Sequence, residues 1–142
     1  MSKRLPILAT AALLMLAGSA HAAEKAEKSK EVGQYIDLQP VALPIVVQGR
    51  LVNYVFVYVR VNLRNGVDVT KMRDKEPMLR DALVRDGHRT PFVVPTDWKR
   101  VDEARLVAAM TRDATAITGP GVVSSIVVTA QNPQKSVVTP RP

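Results

Sequence analysis

Few side chains in this chain could do chemistry. His88 is one of two histidines, the other being His21 near the N-terminus, and there is no cysteine. A lone imidazole beside Arg89, with no carboxylate or thiol spaced around it, makes a poor metal site. The pair Ser124-Ser125 falls in the β-branched stretch "VVSSIVVTA" and not on the glycine-flanked elbow that presents a nucleophile. Paired carboxylates for acid–base work would have to come from Asp74, Glu76, Asp81, Asp86, Asp102 and Glu103. Each has a Lys or Arg within a turn, as in Arg73-Asp74-Lys75 and Arg80-Asp81. That is the pattern of a solvated helix face with local ion pairs. A general acid–base pair also needs surroundings that separate two pKa values, and the spacing suggests none. The seven glycines are scattered, so there is no phosphate loop. The reading is a non-enzymatic chain with no cofactor, no metal and no catalytic residue.

The N-terminus sets the compartment. "MSKRLPILATAALLMLAGSAHAAEK" has a positive start at Lys3 and Arg4, then a short apolar run from Leu5 to Ala17, then the small-x-small signal Ala20-His21-Ala22. This reads as a signal peptide, residues 1–22, cut between Ala22 and Ala23. The run is shorter than the about 20 apolar residues a crossing helix needs, so a retained anchor is the alternative. The expected location is the periplasm of a Gram-negative cell, in association with the inner membrane. Without cysteine there is no disulfide framework, and stability must come from burial. Removing Lys3 and Arg4 takes 20 basic residues to 18 against 13 acidic ones, a net charge of +5. Such a charge is either a soluble basic surface or a means of peripheral attraction to anionic lipid headgroups or cell-wall polymer. Nucleic acid is not an expected partner, since no basic run is interleaved with aromatics.

Residues 23–33 are a charged linker, 34–131 the folded domain, and 132–142 a proline-rich tail of low order. "YIDLQPVALPIVVQ" is extended, but Pro40 and Pro44 make it an edge or broken strand. A turn at Gln48-Gly49-Arg50 leads to the strand Leu51–Leu63, apolar on both faces in its middle and so expected to be covered on both sides or paired centrally. A helix follows, capped by Thr70 or Asp74, with Pro77 in a first turn or at a kink and Asp86-Gly87 as its stop. "HRTPFVVPTDW" reads as a connection. A second helix runs from about Lys99 to Thr118, with Val107, Met110, Ala114 and Ile117 on its apolar face. Gly119-Pro120-Gly121 ends it, and 122–130 is a last strand, available to pair with the long one. The class is α+β, a small antiparallel-type sheet with two helices on one face in the order β-β-α-α-β.

Two features could meet a partner. Arg73, Lys75, Arg80, Arg85 and Arg89 crowd the first helix. They are either a solvated face or a docking face for an acidic partner or headgroups. Trp98 is either an interface anchor or a contact holding the start of the second helix. Arg73, Arg80, Arg85 and Trp98 are the candidate partner-binding residues.

The order of these segments resembles the periplasmic domain of the FliL family of flagellar basal-body-associated proteins. "YIDLQPVALPIVVQ" is followed by "RLVNYVFVYVRVNL", and "DKEPMLRDALVRDG" is similar to the family's helix start at Pro77, Leu79, Arg80 and Asp81. "GPGVVSSIVVTAQNPQ" is similar to its closing strand. The resemblance covers residues 34–131. It implies a stomatin-like domain and a scaffold or adaptor of the flagellar motor. The implied partners are envelope proteins, among them stator or basal-body components, with self-association into a homo-oligomer and a role in motility and chemotaxis. The alternative is a small periplasmic subunit of a secretion or pilus apparatus. Intact mass measured after cell fractionation is expected to begin at Ala23, in the periplasmic fraction. A full-length mass in the membrane fraction would establish the retained anchor instead.

Overall fold

The computed structural model describes residues 33–134. The expected signal peptide with its cut between Ala22 and Ala23, residues 23–32 of the linker and residues 135–142 of the tail lie outside them. The domain is α+β, with an antiparallel sheet and three helices. Its elements are β1 (Tyr35–Asp37), β2 (Val41–Val47), β3 (Arg50–Leu63), α1 (Val69–Asp74), α2 (Glu76–Arg89), β4 (Val93–Val94), β5 (Asp97–Val101), α3 (Glu103–Thr118) and β6 (Val123–Pro133). This corrects the expected order β-β-α-α-β by an extra strand break, an extra short helix and a small hairpin.

β3 organises the sheet. β1 and β2 pair with successive stretches of one of its edges, Tyr35 opposite Asn62 and Val41 opposite Val57. β6 takes the other edge, Val55 opposite Pro133 through Leu63 opposite Val123. The first extended segment is therefore one edge strand broken at residues 38–40, where Pro40 has no N–H for the ladder. Val47 pairs with Arg50, so Gln48-Gly49 is a two-residue loop. Both residues have positive φ, 51° and 75°. That is the primed-turn geometry which matches strand twist, and it is strained for a residue such as Gln48.

The long strand is paired centrally, with β1 and β2 on one edge and β6 on the other, and among the described residues it is covered on one side only. Asn53, Val55, Val57, Val59, Val61 and Leu63 are buried, while Tyr54, Phe56, Tyr58, Arg60 and Asn62 alternate with them and are half-buried or exposed. Both faces carry apolar residues, so composition hid an ordinary one-sided strand. The buried face meets Ile36, Leu43 and Ile45 from the edge strands and Leu79, Leu83, Leu106 and Met110 from the helices. Burying each such side chain contributes about 1.5–3 kcal/mol.

The helices differ from expectation at their ends. Asp68, not Thr70 or Asp74, caps α1, its Oδ1 accepting from the amides of Thr70 and Lys71 at 2.9 and 3.2 Å. α1 stops at Lys75 and α2 begins at once, with Pro77 in its first turn, where a missing donor costs nothing. Asp86-Gly87 is no stop, because α2 runs on to Arg89. Gly87 is there for packing, since a Cβ on it would lie 2.6 Å from Leu43 Cδ2. α3 starts at Glu103 under an Asp102 cap, not at Lys99, and buries Leu106, Met110 and Ala114. Val107 and Ile117 are only half-buried.

The connection expected over 88–98 is instead the end of α2 and most of the β4–β5 hairpin, which runs on to Val101. Trp98 lies in β5, half-buried against the core. Two side-chain amides dock the hairpin. Asn53 Nδ2 donates to the Trp98 carbonyl at 3.1 Å, and Gln131 Oε1 accepts from the Val101 amide at 2.9 Å. Asn53 is the only buried polar residue among those described, and its Oδ1 also accepts from the Tyr54 amide at 2.8 Å. β6 extends to Pro133, so Asn132 and Pro133 belong to the sheet and not to the tail.

Gly87→Ala gains about 1 kcal/mol of helix propensity but overpacks against Leu43, which costs about 1–3 kcal/mol. A net destabilisation of about 1 kcal/mol is expected in urea unfolding. In a Leu43→Val background the same change is expected to become neutral or stabilising. Equal costs in both backgrounds would refute the packing role of Gly87.

Candidate functional site

α2 and α3 run antiparallel. Lys75 Nζ donates to the Ile117 carbonyl at one end, Arg112 meets Asp86 in the middle, and the Asp102 amide donates to the Phe92 carbonyl at the other end. Their outward sides enclose an open groove of about 710 Å³. α2 contributes Ala82, Arg85, Asp86 and Arg89, which repeat at helical spacing along one stripe. α3 contributes Arg105, Ala108, Ala109, Arg112, Asp113 and Ala116 in the same way. The floor is alanine and the rim is arginine.

Two carboxylates in the groove share one guanidinium. Arg112 Nη2 lies 2.6 Å from Asp86 Oδ2, and its Nε lies 2.9 Å from Asp113 Oδ1. The hydrogen bond to Asp113, helped by the charges of Asp113 and Asp86, raises the Arg112 pKa above its ordinary value. Arg85 pairs with Asp81 one turn back at 3.1 Å, both side chains being more than 60% exposed, so that pair contributes little. Arg89 and Arg105 have no carboxylate within ion-pair distance among the described residues.

The outer face of the sheet is the second surface. Tyr35, Phe56 and Val127 keep 37%, 42% and 42% of their area exposed. Ladder partners share a face, so Ala42 and Pro44 join Phe56 and Tyr54 from one side, and Ala130 joins Tyr58 from the other. Arg60 stands among them in a two-pronged bond to Asp37, Nε to Oδ1 at 2.7 Å and Nη2 to Oδ2 at 2.9 Å. Its guanidinium also lies 3.8 Å from the Tyr35 ring centre, a favourable cation–π placement. The Arg60 hydrogen bond holds the Asp37 carboxyl below the ordinary value against the opposing effect of burial, and the Arg60 charge adds to it.

The residues singled out from sequence do not form one site. Arg73 lines a shallow hollow beside Tyr35 and Asp37. Arg80 stands 3.8 Å from Glu76, Arg85 is on the groove rim, and Trp98 is on the hairpin. In the family-like motif, Pro77 opens α2 and Leu79 is fully buried, while Arg80 and Asp81 make pairs along the helix. Sequence reasoning missed Arg105 and Arg112. Their seven-residue spacing with alanines between was visible, but its meaning required knowing that α3 lies beside α2.

His88 and Ser125 make local contacts. His88 Nδ1 lies 2.8 Å from the Val84 carbonyl, which can only accept, so that nitrogen carries the hydrogen. Ser125 Oγ accepts from Asn62 Nδ2 at 2.9 Å, and Ser124 is the extra residue of a bulge between Ser125 and Val123. Among the described residues no three His, Cys, Asp or Glu side chains gather to hold a metal ion, and no helix is long and apolar enough to cross a membrane. No protein-family model matches the chain, and no curated protein matches it.

A depressed carboxyl pKa adds stability that is present above the ordinary carboxylate range and is lost as pH falls through the folded value. Asp37→Asn is therefore expected to be less stable than the parent near neutral pH. The gap should close as pH falls below about 4 and shrink in high salt. Thermal unfolding at several pH values measures this, and a gap independent of pH would contradict it.

Proposed function

We propose that this chain is a non-enzymatic scaffold or adaptor that self-associates and supports the flagellar motor at the periplasmic face of the inner membrane, in contact with stator or basal-body components. The observation that carries the reading is that no element among the described residues covers the outer face of the sheet. A sheet buries its apolar face against another layer, and here α2 and α3 take up only the Val55–Leu63 side. Phe56, Val127 and Tyr35 stay exposed on the other side, flanked by Tyr54 and Tyr58. Contiguous exposed apolar surface of this kind marks contact sites. Aromatic residues with an Arg among them are the composition enriched at protein interfaces. Packing face to face with a second copy buries it in the aligned manner of stacked sheets.

The flagellar assignment and the stomatin-like description of the fold rest on the ordered motifs that resemble the FliL family. The antiparallel α+β architecture supports them at the level of class alone. Polar groups engaged in caps, ion pairs and backbone bonds support a contact role over a catalytic one.

Deleting the chain from its host is expected to reduce swimming and stator recruitment. Wild-type protein should restore both, and a Phe56→Lys, Val127→Lys variant should not. In sedimentation experiments the wild-type chain should associate and the variant should remain monomeric. Normal swimming and unchanged stator recruitment in the deletion strain would reject the flagellar role. A monomeric wild-type chain would reject self-association, and co-purification with secretion or pilus components would favour that apparatus.

A further inference from the structure

We infer that the groove between α2 and α3 is a docking site for an acidic amphipathic helix of a partner protein. This deepens the adaptor reading and rests on it, but it uses a different surface from the sheet face.

Three properties of the groove point to that occupant. The first is length. The α3 wall from Arg105 to Ala116 extends about 17 Å at the helical rise, about three turns. The second is the floor. Ala82, Ala108, Ala109 and Ala116 project almost nothing, so a third helix can approach to the interaxial distance of about 8–10 Å at which helices pack. Half-buried Ile117 adds a larger apolar contact, and the buried Phe92 backs one end. The third is charge. Arg112 satisfies both Asp86 and Asp113, which leaves Arg89 and Arg105 on the rim without a carboxylate partner among the described residues. Arg85 adds a third guanidinium whose one ion pair among the described residues, with Asp81, is open to solvent. A helix with a small apolar face flanked by glutamates matches floor and rim together, in the helix-in-groove mode of peptide recognition. An isolated phosphate or lipid headgroup would match the arginines but leave the alanine floor unused.

The full chain is titrated against a fluorescein-labelled peptide of about 18 residues, with alanine and leucine on one helical face and glutamate on its flanks, and binding is followed by anisotropy. A second peptide carries lysine in place of glutamate, and phosphatidylglycerol vesicles serve as a lipid probe. The glutamate peptide is expected to bind, more weakly as salt rises, and the lysine peptide is not. Arg89→Glu with Arg105→Glu should weaken binding about tenfold or more, and Ala108→Glu should do the same by obstructing the floor. All three positions are exposed, and circular dichroism should report an unchanged fold. Equal binding by parent and variants would overturn the inference. So would failure of the glutamate peptide to bind, or arginine-dependent binding of the vesicles without binding of the peptide. Sedimentation of the same variants separates the two surfaces. If the peptide fails while the chain still associates, the groove assignment falls and the scaffold stands; if association also fails, the adaptor reading falls with it.

Discussion

Everything in this domain hangs on one strand being bonded along both edges. β3 carries β1 and β2 on one side and β6 on the other, and it holds nearly all of the strand-to-strand hydrogen bonding of the main sheet. Because side chains alternate across a strand, fixing the Val55–Leu63 series toward the helices necessarily turns Tyr54, Phe56, Tyr58 and Arg60 outward. A slip of one residue would send the valines to solvent and the aromatics into the core. The turn at Gln48-Gly49 and the Asn53 bonds limit such a slip at one end of the strand, and the Arg60–Asp37 pair limits it at the other.

The helical layer follows from that choice of face. α2 lies over β2 and α3 over β6, so the sheet sets their separation and their groove. Gly87 shows how closely the two layers meet, since a single methyl group at that position would intrude on Leu43. The groove is thus produced by packing on its inner side, while its outer side is free to carry arginine.

Much of the framework was legible in the sequence. The β-branched run, the Gln48-Gly49 turn, Pro77 and the Gly119-Pro120-Gly121 break each act through a local backbone preference that one segment can express alone. What was not legible depended on neighbours distant in sequence. Asp86-Gly87 reads as a helix end by composition, but Leu43 demands a small residue there and the helix continues. Tyr and Phe on the even positions of β3 read as buried, but no layer among the described residues was shown to meet them. The hairpin β4–β5 is too short to announce itself and depends on amide bonds from Asn53 and Gln131. For the candidate surfaces, Arg85 could be named from one helix alone, whereas Arg105 and Arg112 gained significance only when α3 was set antiparallel to α2.

The pairing of β3 with β6 also has a kinetic side. Val61 finds Ile126 only after all three helices and the small hairpin have been threaded between them. A chain that emerges from its N-terminus can form the β2–β3 hairpin early, because its turn is two residues long. The other edge of β3 then stays open until the last element arrives, and contacts of such sequence separation form slowly. During that interval "VFVYVRV" is an uncapped template of high β-propensity, interrupted by a single charge at Arg60. The strand that organises the finished domain is therefore also the segment that most needs protection while the domain is being made.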